Sequence, residues 1–126
     1  TVSENGFSVV YDTAGEVFAR FETQKFSRDE EDAREARDDT RRYLKCDLLI
    51  LDDLGSEMTT PFVQSALYQL VNSRLTAEKR TVISSNLTME DVRRRYSPQI
   101  TSRLEGEYRV LPFFGEDIRI QRKGRM

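Results

Sequence analysis

The stretch DLLILDDLGSE, residues 47–57, sets four apolar residues, Leu48 to Leu51, directly before two adjacent carboxylates, Asp52 and Asp53. An apolar run of this length reads as a buried strand. Two neighbouring negative charges at its end repel each other, and burying either costs free energy unless a partner is present. A bound cation answers both problems at once. Taken alone, the stretch is equally at home in a strand whose acids have no role beyond structure.

Outward from it, GFSVVYD (6–12) is a β-branched and aromatic run that reads as a strand, and Thr13 with Glu16 has capping-box spacing. The helix opened there carries Val17, Phe18 and Phe21 on one face. SRDEEDAREARDDTRRYLK (27–45) reads as a surface helix with a thin apolar stripe of Ala33, Ala36, Tyr43 and Leu44. After the acid pair, Thr60 and Pro61 start a helix with Val63, Ala66, Leu67, Leu70 and Val71 at steps of three and four. RTVISSN (80–86) is a second apolar strand, ending in Asn86. Thr88 and Asp91 cap a short helix with the basic run Arg93 to Arg95. Ser97 and Pro98 open another, which holds Ile100, Arg103 and Leu104 and ends at Gly106. YRVLPFF (108–114) reads as a strand, and DIRIQRK (117–123) as a short last strand or tail.

Strands alternating with helices in this order predict an α/β fold: a mostly parallel sheet with helices on both faces. Such sheets bind ligands at the carboxyl ends of their strands. Asp52, Asp53 and Asn86 all fall at such ends.

Composition narrows the function classes. The chain has 126 residues, 33% of them charged and 37% hydrophobic, with no His and one cysteine, Cys46. That excludes histidine-based catalysis, His metal sites and an internal disulfide, and suits a reducing cytoplasm. Cys46, just before the acid-tipped strand, reads as packing. Residues 1–58 carry 8 Lys/Arg against 15 Asp/Glu, and residues 59–126 carry 12 against 7. A basic half of this kind suits phosphate or DNA, or a solvated salt-bridged surface. No apolar stretch approaches the roughly 20 residues that span a bilayer, and no signal peptide, linker or repeat is visible.

The apolar strand ending in Asp52–Asp53 resembles a Walker B motif. One helix downstream, Ser84-Ser85-Asn86 resembles sensor 1 of the AAA+ ATPases, and SPQITSRLEG (97–106) resembles the arginine-finger segment of that family. The chain thus resembles a P-loop NTPase (AAA+) three-layer core, most closely the DnaC/DnaI-type helicase loaders and the related IstB-type transposition helpers. CDLLILDDLGSEMTT, QLVNSRLTAEKRTVISSNLT and YSPQITSRLEGEYRVLPFFGEDIRIQRK carry that likeness, including the pair Asn72 and Arg74.

The resemblance implies ATP and Mg²⁺ as ligands of the intact protein. Asp52 would hold the metal with Asp53 beside it, Asp53 would polarise the attacking water, and Asn86 would help orient it. Arg103 would reach a neighbouring subunit's nucleotide. Gly115 to Arg119 resembles the family's closing Gly-x-x-x-Arg, in which Arg119 would touch phosphate. The implied partners are a replicative helicase, single-stranded DNA and further copies of the chain, with no membrane.

The chain departs from the family pattern in one respect. None of Lys25, Lys45, Lys79 and Lys123 follows a glycine, so no Gly-Lys-Ser/Thr phosphate loop is present. The expectation is that residues 1–126 form a partial AAA+ domain, from its second strand to its last, with the phosphate loop upstream of Thr1. Such a piece would bind ATP poorly and hardly hydrolyse it. The family's sheet order, 5-1-4-3-2, further implies a gap beside the sensor 1 strand, with two unpaired edges that invite self-association. Three functions stay open: a helicase loader, a transposition helper, and a nucleotide-free module that uses the AAA+ shape for association.

Overall fold

A computed structural model describes residues 6–112 and 118–122. Strand β1 (Val9–Thr13) leads into α1 (Ala14–Phe26) and α2 (Glu30–Lys45). Then follow β2 (Leu48–Leu54), α3 (Pro61–Thr76), β3 (Arg80–Ser85), α4 (Met89–Arg95), α5 (Pro98–Glu107), β4 (Tyr108–Pro112) and β5 (Ile118–Arg122).

The helix starts follow the capping residues seen in the sequence. Thr13 accepts from the Glu16 amide, Thr60 from the Val63 amide ahead of Pro61, and Ser97 from the Ile100 amide ahead of Pro98. Thr88 and Asp91 form a reciprocal capping box. Each cap satisfies an amide that the first helical turn leaves without a partner. The charged helix α2 starts at Glu30 behind the cap Asp29, and buries only Ala36, Thr40 and Tyr43.

The sheet order is β1-β2-β3-β5-β4. β1, β2 and β3 are parallel neighbours. Alternation along the strands divides the faces. Leu49, Leu51 and Ile83 are fully buried and join residues from all five helices in one apolar cluster. Leu48, Ile50 and Val82, on the opposite face, are only half-buried. The helices expected on both faces therefore gather on one among the described residues. Full burial of a leucine contributes about 2 kcal/mol, so Leu49 and Leu51 anchor β2 in the core.

The last strand corrects the expected gap. β5 runs antiparallel between β3 and β4, with Ser84 opposite Arg119 and Val110 opposite Ile120. Within the strand or tail read at 117–123, Ile118–Arg122 is a strand, and it fills the place beside β3 where two unpaired edges were expected. Self-association through that gap loses its basis. The sheet's edges are β1 and β4. No helix among the described residues is long and apolar enough to cross a membrane.

Arg74 joins three elements inside the core. It is 0% exposed, and it donates to Thr81 Oγ1 at 2.8 Å, to the Tyr43 carbonyl at 2.9 Å and to the Arg80 carbonyl at 2.6 Å. The Cys46 sulfur lies 3.5 Å from its Nη1. Burial lowers the pKa of its guanidinium below the ordinary value, an effect opposed by the neighbouring Cys46. The cysteine read as packing is indeed buried.

Candidate functional site

The site lies where β1, β2 and β3 end side by side. Thr13 on β1 sits opposite Asp52 on β2, and Ile50 sits opposite Val82 on β3. The regular register stops after Leu51, and pairing resumes with Leu54 opposite Ser85. The stretch from Leu51 to Leu54 thus spans three steps against two on β3, the signature of a bulge. It is absorbed at Asp53, whose φ is 62°. Aspartate is among the few residues that accept this left-handed region, and strain of this kind collects where a side chain must be re-aimed. Asp53 is exposed and Asp52 half-buried.

Several contacts lock the turn after the acids. Ser56 donates through its hydroxyl to the Asp53 carbonyl at 3.0 Å. Gly55 has φ 110°, and a Cβ there would lie 2.7 Å from Leu87 Cδ1, so the turn needs glycine for both backbone and space. The Gly55 amide donates to Glu57 at 2.9 Å, and the Tyr96 hydroxyl donates to the same carboxylate at 2.5 Å. Arg95 donates to the Glu57 carbonyl. Burial, then the Glu57 carboxylate, pushes the Tyr96 phenol well above its usual value. The turn after β2 is thereby tied to the junction of α4 and α5.

The Asp52 carboxylate is held from both flanking strands. Its Oδ1 accepts from the Ser84 hydroxyl on β3, and its Oδ2 accepts from the Tyr11 hydroxyl on β1 at 2.5 Å. Ser84 Oγ also accepts from the Asp53 amide at 3.3 Å. Ser85 staples the two strand tips: its hydroxyl donates to the Leu54 carbonyl at 2.5 Å and accepts from the Leu87 amide at 3.0 Å. Asn86 follows at an exposed bend, one residue beyond that staple. On the far side of β1, Tyr43 donates to Asp12 at 2.7 Å, and burial with that carboxylate pushes its phenol well up.

Of the residues singled out from the sequence, Asp52, Asp53 and Asn86 come together at neighbouring strand tips. Arg119 pairs opposite Ser84 in the backbone ladder. The residues before it, Gly115 to Asp117, lie outside the described residues. Arg103 is half-buried on α5, and no described hydrogen bond or ion pair joins it to the strand tips. The basic run is engaged at home. Arg93 pairs with Glu105 at 2.5 Å, Arg94 with Asp91 at 2.6 Å, and Arg95 bonds the Glu57 carbonyl.

Mg²⁺ demands oxygen ligands and is held by one or two carboxylates together with substrate phosphates rather than by an all-protein cage. Asp52 and Asp53 supply that donor set. The residues present therefore fit the ion.

Sequence reading missed Tyr11 and the Glu57–Tyr96 clamp. Tyr11 had a signal in the alternation Val9, Tyr11, Thr13, but its reach to Asp52 needs the cross-strand register.

Comparison with known proteins agrees with this fold. The family of IstB-like ATP binding proteins matches residues 1–124. A crystal structure of a DNA replication initiation factor superposes with a TM-score of 0.63 at 25% identity, covering 82% of this chain and 30% of that one. AMPPCP-bound DnaA from Aquifex aeolicus superposes at 0.59 with 26% identity, again covering 82% and 30%. The chain thus spans less than a third of either neighbour. No curated protein matches it.

Proposed function

The chain belongs to the IstB-like ATP binding protein family, with the α/β core of an AAA+ P-loop NTPase, and from that premise we propose that it supplies the water-activating half of an Mg²⁺-dependent ATPase that loads a replicative helicase onto single-stranded DNA. The observation that carries this reading is the arrangement of Asp52 and Asp53 beside Ser84 and Asn86 at adjoining strand tips.

Mg²⁺, when bound, neutralises charge on the β- and γ-phosphates. Asp52, oriented by two hydroxyls, is the carboxylate that holds it. Asp53, exposed and turned by its left-handed backbone, accepts a proton from the attacking water. Asn86 orients that water from the next strand. Arg103 acts on the nucleotide of a neighbouring copy, where a guanidinium stabilises charge spreading over the transferred group. Self-association is therefore part of the activity.

Transposition helper is the alternative role, favoured by the family that matches; the replication initiation factor and DnaA among the similar structures favour replication. A pull-down that recovers a replicative helicase or a transposase distinguishes them. The ATPase reading itself is tested on the intact protein, phosphate loop included, by equilibrium binding of a fluorescent ATP analogue in Mg²⁺ and in EDTA. Binding that needs Mg²⁺ and is lost in Asp52→Asn supports it. Binding that is absent, or indifferent to both, leaves an association module.

A further inference from the structure

We propose that Tyr11 is a positioning residue for the Asp52 carboxylate, fixing the orientation in which Asp52 meets a divalent cation. This rests on the ATPase reading above and deepens it.

Tyr11 is 62% exposed on the edge strand β1, so its ring gains little from burial. Its register partner is Ile50, one alternation below Asp52, and an aromatic side chain reaches such a diagonal neighbour. The hydroxyl ends 2.5 Å from Asp52 Oδ2. Its neighbours on β1 are committed elsewhere. Asp12 accepts from Tyr43, and Thr13 caps α1.

Asp52 therefore receives one hydroxyl from each flanking strand, one on each oxygen. Two donors on opposite oxygens fix the plane of the carboxylate, where one alone would leave it free to rotate. An ionised carboxylate offers about four lone-pair sites, so two hydroxyls do not prevent it from ligating. Outer hydrogen-bond partners of ligating carboxylates typically control metal affinity by 10- to 100-fold.

The test uses Mn²⁺ alone, which takes the same octahedral oxygen set as Mg²⁺, titrated into the protein and followed by water-proton relaxation. Asp52→Asn abolishes the binding. Tyr11→Phe weakens it about tenfold, and Ser84→Ala by a similar factor. The melting temperature of Tyr11→Phe stays at the wild-type value, because an exposed hydroxyl contributes nothing to the core. If Tyr11→Phe binds Mn²⁺ within about twofold of wild type, the role of Tyr11 is overturned while the metal site stands. If wild type shows no Asp52-dependent binding, the metal site and the role of Tyr11 fall together.

Discussion

Arg74→Met removes a guanidinium from the core while keeping an unbranched apolar stem. Three acceptors lose their donor: Thr81 Oγ1, the Tyr43 carbonyl and the Arg80 carbonyl. A buried acceptor left without a partner costs roughly 1–3 kcal/mol. Against that, the variant no longer desolvates a charge. The net loss is about 3 kcal/mol. For a chain of 126 residues, unfolding entropy of about 2.1 cal/mol/K per residue turns this into a fall of about 11 °C in melting temperature. Thermal unfolding followed by circular dichroism measures it, and urea unfolding with an unchanged slope confirms that stability alone has moved. Arg74→Lys is also damaging, because an ammonium cannot span three acceptors as the planar fork does. Arg80 and Thr81 start β3, whereas Ser84 and Ser85 end it, so folded Arg74→Met keeps its cation binding. A loss below about 1 kcal/mol would refute the view that Arg74 knits α2, α3 and β3 together.

Two further outcomes follow from the turns and charges. Asp47 accepts from the Ser8 amide at 2.8 Å and pairs with Lys79 at 3.6 Å, and these contacts, the backbone one foremost, hold its carboxyl below the usual value. A depressed carboxyl stabilises the fold above its unfolded pKa of about 3.9 and ceases to do so as pH falls through the folded value. Asp47→Asn therefore flattens the acid limb of a stability–pH curve below about pH 4, and an unchanged limb contradicts the assignment. Gly55→Ala places a Cβ 2.7 Å from Leu87 Cδ1 at φ 110°; it lowers stability by about 2 kcal/mol in urea unfolding, and a neutral result contradicts the tightness of this turn.

Much of the fold is legible because local chemistry decides it. Thr13, Thr60–Pro61, Thr88 with Asp91, and Ser97–Pro98 each start a helix in the sequence and in the structure. The apolar run 48–51 becomes the interior strand β2 because burial of Leu49 and Leu51 outweighs any local preference. The place of β5 is not legible. Its residues, Ile118–Arg122, alternate as a strand should, but nothing local says that they turn back to pair with β3. That the acid pair and Asn86 fall near the carboxyl ends of β2 and β3 is legible, since each follows an apolar run. The reach of Tyr11 is not, because it depends on which residue of β2 stands beside it. The same holds for Glu57, whose partner Tyr96 lies far along the chain.

The proposed function requires Asp52 to hold a divalent cation at the tip of β2. Anomalous diffraction from crystals of the protein grown with Mn²⁺ and an ATP analogue tests it most directly. A single strong peak is expected against the Asp52 carboxylate, with Tyr11 and Ser84 still on its oxygens. A peak elsewhere, with Asp52 bound only to protein groups, would contradict it.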